Sequence, residues 1–197
     1  VSNRREVLLD AAVRVLGGRG MRALTHRAVD AEAAVPVGST ANYFPNRESL
    51  LGAIVERISA RERANFEEIA RTVSPTTPAE LARVLGAAAR DAAGVHRELT
   101  LARYAILVEA GHNAAIRRRV AENGSRVDAW FAVWLRLIGS HDPDHLHLVA
   151  NYLTGLILHQ LAVPDPAFDP TAMIAGFLES LVAAVGTHET ETAGRTI

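Results

Sequence analysis

The 197-residue chain is 49% hydrophobic and 22% charged, the composition of a globular protein with a sizeable core. It contains no cysteine, which excludes disulfides and thiolate metal sites and is compatible with the cytoplasmic location expected for it. No apolar run reaches the length of a membrane span, and Val1-Ser2-Asn3-Arg4-Arg5-Glu6 lacks the apolar region of a signal peptide, so no membrane association is expected.

The net charge of −1 is unevenly spread. Residues 1–48 hold seven Arg against five acids, and the remainder fourteen Arg against seventeen. A slightly basic head on an acidic body suits a protein that meets phosphates at one end, although solvated surface charge gives the same sums.

The pattern is helical nearly throughout. Val7, Leu8, Ala11, Ala12, Val15 and Leu16 recur at helical spacing, and Gly17, Gly18 and Gly20 are expected to stop that helix. Thr25 reads as an N-cap, with Leu24 and Val29 placed as a hydrophobic staple around it. A short helix from His26 to about Ala33 follows, then a break at Ala34-Val35-Pro36, then a second short helix from about Val37 to Tyr43. Pro45 and Asn46 end it and open a longer helix. Further helices are predicted at about 47–72, 78–94, 97–110, 114–138, 143–162 and 170–186, and Thr187–Ile197 is expected to be a disordered tail. Thr77-Pro78-Ala79-Glu80 reads as a capping box with proline at the first helical position, and Asp142-Pro143 and Asp169-Pro170 repeat that grammar.

Two short helices joined by a tight turn and flanked by longer apolar-faced ones form the plan of a helix-turn-helix. In Gly38-Ser39-Thr40-Ala41-Asn42-Tyr43-Phe44 the second helix is short and thinly apolar outside. Gly38 permits close approach to a DNA backbone. Ser39, Thr40 and Asn42 offer hydrogen bonds to base edges or phosphates, and Tyr43 a hydroxyl to phosphate. Phe44 is expected to turn inward. Arg47, at the start of the next helix, combines a guanidinium with a helix N-terminus for one phosphate. Any one of these features alone is ordinary; their order together is not.

The stretch from Leu8 to about Glu56 resembles the DNA-binding module of the TetR family of transcriptional regulators. The resemblance is carried by Ala11-Ala12, Gly20, Leu24-Thr25, Ala28-Val29, Val35-Pro36-Val37-Gly38-Ser39 and Tyr43-Phe44-Pro45-Asn46-Arg47-Glu48-Ser49-Leu50-Leu51. It implies an all-α fold, with a three-helix DNA-binding domain at 1–46 and a helical ligand-binding and dimerisation domain at 47–186. It also implies a DNA face lined by Thr25, Arg27, Ser39, Thr40, Asn42, Tyr43 and Arg47, to which Val37 and Gly38 are added. The chain departs from the family at Pro36, where a capping serine is frequent, at Val37, where lysine is frequent, and at Ala34, where glycine is usual.

In the body, Val149, Leu153 and Leu156 on one helix and Met173, Phe177 and Leu181 on the next give broad apolar faces, expected to form a four-helix interface in a homodimer. The competing reading is that both helices pack only into their own domain. Tyr104, Trp130, Phe131 and Trp134, with Glu109, His112, Asn151 and His159, are candidates for a pocket suited to a largely apolar effector; they read equally well as core. His141, Asp142, Asp144, His145 and His147 have the wrong spacing for a metal site and read as a helix cap with solvated histidines. No cofactor and no catalytic motif is recognised.

The expected function is therefore a regulator, most simply a repressor, that binds palindromic operator DNA as a homodimer and is released by a small molecule. The alternative is a helical ligand-binding or scaffold protein whose head has lost DNA binding, which Pro36 and Val37 favour.

Overall fold

The computed structural model describes residues 3–193, and the side chains of these apart from 124–130 and 184–193. The described residues are helical, with no strand: α1 Arg4–Arg19, α2 His26–Glu32, α3 Ser39–Tyr43, α4 Arg47–Thr72, α5 Pro78–Ala93, α6 Arg97–His112, α7 Ala114–Leu137, α8 Asp144–Ala162 and α9 Thr171–Ala193. A 3-10 turn, Met21–Ala23, links α1 to α2. No helix among the described residues is long and apolar enough to cross a membrane. The chain divides into two compact units, one of residues up to Glu67 with His96–Val127, the other of Glu68–Val95 with the residues from Asp128 onward.

The first unit is organised around α1. Asn3 caps the helix by accepting from the Arg5 amide (3.2 Å). Leu8, Leu9, Ala12, Val13, Val15 and Leu16 are all buried, because α1 is covered by α2 on one side and α6 on another. Full burial of each leucine contributes about 2 kcal/mol. The helix runs through Gly17 and Gly18 and ends at Gly20, whose φ of 80° leaves the helical region. Gly17 serves packing: a methyl there would overlap the Glu98 carbonyl at the start of α6. Asp10 of α1 takes a bidentate hydrogen bond from Arg57 of α4 (2.7 and 2.9 Å) and an ion pair from Arg61 (3.0 Å). Burial alone would push the Asp10 carboxyl up, but these arginines outweigh it and hold it below the ordinary value.

In the second unit, Thr77 caps α5 as expected, accepting from the Glu80 amide (3.2 Å); the Glu80 carboxylate in turn accepts from the Thr76 amide (2.9 Å) rather than that of Thr77. Leu81, Leu85 and Ala89 of α5 pack toward α8 and α9, where Val149, Leu161, Ile174, Leu178 and Leu181 are buried. Val149 and Leu181, expected at an interface between subunits, are thus core residues of their own unit. Asp169 caps α9 through Thr171 and pairs with Arg90. α9 continues through Gly186 to Ala193 rather than ending at Gly186, residues 187–193 containing no proline or glycine. Asp142 accepts from the Asp144 amide (2.9 Å) at the start of α8. His145 is buried, not solvated as expected, and its Nδ1 meets the Ser140 hydroxyl at 2.7 Å.

The two neighbouring glycines of α1 give opposite expectations. Gly17→Ala should destabilise the protein by about 1–3 kcal/mol through overpacking against α6. Gly18→Ala meets nothing closer than the far end of the Glu98 side chain and should stabilise by roughly 0.5–1 kcal/mol through helix propensity. Thermal melts of the two variants against the parent check both signs.

Candidate nucleic-acid interface

α2 and α3 are short, seven and five residues, and helices of this length do not persist alone. Thr25 caps α2 by accepting from the Ala28 amide (3.1 Å), and Leu24 and Val29 are fully buried beside it. α3 has no such local cap. Its N-cap position is Gly38, at φ 93°, a left-handed conformation natural to glycine. That turn excludes Val37 from the helix, which therefore starts at Ser39.

The missing cap comes from α2. The Asp30 carboxylate accepts from the Gly38 amide (2.7 Å), the Thr40 amide (2.7 Å) and the Thr40 hydroxyl (2.5 Å). Asp30 and Thr40 are both fully buried. Burial would raise the Asp30 carboxyl, but the Thr40 hydroxyl and amide, the Gly38 amide and the nearby His26 together hold it below the usual carboxylate value. The other end of α3 is fixed by His26 of α2, whose Nε2 lies 2.6 Å from the Phe44 carbonyl. Phe44 is buried, as expected, with the Arg5 guanidinium 5.4 Å from its ring centre.

The residues expected on the DNA face divide accordingly. Asn42 and Tyr43 are exposed on α3, as are Thr25 and Arg27 at the start of α2. Val37 is 78% exposed. Gly38 and Ser39 are half-buried, and the Ser39 hydroxyl donates to the Pro36 carbonyl (2.6 Å). Thr40 points inward to Asp30 and has no surface to offer, a correction to its expected role. Arg47 is exposed, but its guanidinium donates to the carbonyls of Leu24 (2.6 Å) and Met21 (3.0 Å), which ties the start of α4 to the turn before α2. Asp30 and His26 were missed from sequence. The signal was their spacing: His26, Val29, Asp30 and Ala33 share one helix face, so two polar groups stand in the inward stripe.

The candidate pocket residues are not one group. In the first unit Tyr104 is buried, Glu109 half-buried and His112 exposed. Burial pushes the Tyr104 hydroxyl up, opposed by Arg103 and aided by Glu62. Burial also pushes Glu62 up, against the pull of Arg103 at 3.2 Å. In the second unit Phe131 and Trp134 are buried with ring centres 6.1 Å apart, while Asn151 and His159 are exposed. Trp130 lies outside the residues whose side chains are described.

Removing the Asp30 carboxylate leaves three donors without their acceptor, so Asp30→Ala should cost about 2–3 kcal/mol near neutral pH. Because the folded value lies below the ordinary one of about 3.9, the unfolded chain takes up the proton first. The contribution of Asp30 is therefore complete above about pH 5 and is lost as pH falls through the folded value. Urea unfolding of parent and variant should show a gap that is constant from about pH 5 to 7 and narrows below about pH 4.

Residues 8–54 match the family described as bacterial regulatory proteins, tetR family, and residues 76–184, more than half of the chain, match the tetracyclin repressor-like C-terminal domain. Among solved structures, the multidrug binding protein EbrR complexed with ethidium is 29% identical over 91% of this chain and 98% of its own, with a TM-score of 0.69. A TetR family member from Streptomyces coelicolor A3, SCO1917, is also 29% identical, over 91% and 98%, with a TM-score of 0.71. A transcriptional regulator from Rhodococcus sp. Rha1, RHA1_ro04179, shares the fold at a TM-score of 0.76 with 17% identity, over 92% and 97%. No curated protein matches the chain. With a helix-turn-helix match at one end and the tetracyclin repressor-like domain over most of the rest, the chain belongs to the TetR family of transcriptional regulators.

Proposed function

We propose that this regulator is a homodimeric repressor that reads a palindromic operator with α3 and leaves it when a small molecule binds the body. The observation that carries the DNA half is the rigid seating of α3 on α2, which leaves Asn42 and Tyr43 facing outward. The intact clamp argues against a head that has lost DNA binding. Tyr43 donates to a phosphate and Asn42 to phosphate or base, flanked by Thr25 and Arg27. Arg47 holds α4 against the 3-10 turn and positions the head, and contributes to phosphate binding through that placement.

The outward side of α8 and α9 supports the dimer. Leu148, Leu158 and Met173 are 47%, 47% and 51% exposed, and Gly155 and Gly176 open to space on the same helices. Small residues between large apolar ones let helices of two subunits approach closely, and twofold pairing would set two α3 helices about one DNA turn apart. The effector is a small aromatic molecule: EbrR, 29% identical, is a multidrug binding protein complexed with ethidium, and the Phe131–Trp134 pair supplies aromatic side chains in the second unit. α4 and α7 are continuous helices whose residues are divided between the two units, so a ligand that prefers one setting of the body shifts the head with it.

Fluorescence anisotropy against a duplex found by random-sequence selection tests the DNA half. Tyr43→Ala should weaken operator binding at least tenfold with an unchanged melting temperature, whereas Arg47→Ala should lower both. Equal affinity of parent and Tyr43→Ala would place the DNA face elsewhere. Sedimentation tests the dimer: Met173→Glu, at an exposed site, should fold normally and sediment as a monomer, and an unchanged dimer would remove α9 from the interface.

A further inference from the structure

From Ala33 to Asn46 the chain carries no charged residue. Helix-turn-helix readers most often recognise guanine by a bidentate Arg or Lys on O6 and N7, and cytosine by a carboxylate on its amino group. The α3 segment has neither. From Val37 to Phe44 the side chains that remain outward are of two kinds: the apolar Val37 and Ala41, and the polar Asn42 and Tyr43, all exposed. Thr40 is buried on Asp30, and the Ser39 hydroxyl gives its one proton to the Pro36 carbonyl, which leaves it only as an acceptor.

Val37 is the informative residue. A β-branched apolar side chain with 78% exposure contributes little to the core of the head. It is nevertheless rigidly held. Pro36 precedes it, and the amide of Gly38 after it is gripped by Asp30 at 2.7 Å. In the major groove the one apolar group among the base edges is the thymine 5-methyl, and the carboxamide of an asparagine matches adenine N6 and N7. We infer that the base pairs read by α3 are A·T pairs, selected by a thymine methyl against Val37, with adenine hydrogen-bonded by Asn42. Arg27, on α2, is the one arginine in the α2–α3 pair, so guanine readout, where the operator has any, falls to α2 and outside the base pairs under α3.

This inference rests on the operator-binding reading above. Its test separates the methyl from everything else about the base pair. Each thymine of the selected operator is replaced in turn by deoxyuridine, which lacks only the 5-methyl group, and anisotropy is measured at fixed salt for the parent and for Val37→Ala. At one thymine in each half-site, deoxyuridine should weaken the parent about fourfold, the worth of one buried methyl-sized group. Val37→Ala should weaken binding to the thymine operator by a similar factor, melt at the parent temperature, and no longer distinguish thymine from deoxyuridine there. An enriched operator whose α3-contacted positions are G·C would overturn the inference. So would deoxyuridine and Val37→Ala effects that simply multiply. A selection that enriches no sequence would overturn the operator reading itself, and this inference with it.

Discussion

The head of this regulator depends on a carboxylate that never reaches the surface. α3 is five residues long, is preceded at its N-cap by a glycine with no side chain to cap it, and has no apolar face large enough to hold it down. Asp30 supplies from α2 the acceptors that α3 cannot supply for itself, and it does so at both the turn and the first helical residues. Burying a charge is costly unless donors compensate it; three donors within 2.5–2.7 Å, on both carboxylate oxygens, offset that cost here. His26 on the same face of α2 secures the far end of α3 through the Phe44 carbonyl. α3 is thus bonded to α2 at both ends, so whatever positions α2 also positions the outward side of α3.

This arrangement accounts for the departures from the family pattern. Pro36, where a capping serine is frequent in the family, lies two residues before the N-cap position Gly38, and Asp30 serves the amides at the start of α3 instead. Ala34 occupies a left-handed φ of 53°, a conformation that costs a non-glycine residue about 1–2 kcal/mol. Its neighbours hold it there: the Ala34 amide donates to the Ala31 carbonyl, and the Val35 amide to the Asp30 carbonyl. The same residue whose side chain caps α3 thus anchors, through its own carbonyl, the strained turn that leads to it.

What the sequence revealed and what it hid follow from the range of the interactions. Thr25 as a cap, Leu24 and Val29 as a staple and Phe44 as an anchor obey rules that act over a few residues, and they stand where those rules put them. Thr40 and Arg47 find partners at least ten residues away, so in the sequence their polar chemistry reads as DNA chemistry, and Asp30, whose partners lie eight and ten residues on, carries no local sign of its role. In the body the helices were legible but their faces were not. Leu148 and Val149 are adjacent and equally apolar, yet one is 47% exposed and the other 1%, because α5 covers only one stripe of α8. Periodicity announces that a helix has two apolar stripes; it does not say which of them another helix of the same chain will use.

The same accounting changes the meaning of the arginine excess in the head. Of the seven arginines in residues 1–48, Arg14 and Arg19 both pair with Glu32, Arg47 is spent on two carbonyls, and Arg5 lies over Phe44. Among the described residues, Arg4, Arg22 and Arg27 are the exposed arginines of this stretch without an ion pair or ring contact. Affinity for a duplex grows with the number of phosphates neutralised, and three arginines on one head are few. A second head on the same duplex doubles that number without any new contact chemistry. In the proposed dimer the thin charge of the head and the exposed apolar side chains of α8 and α9 answer one constraint: a reader with so little basic surface gains from a second copy.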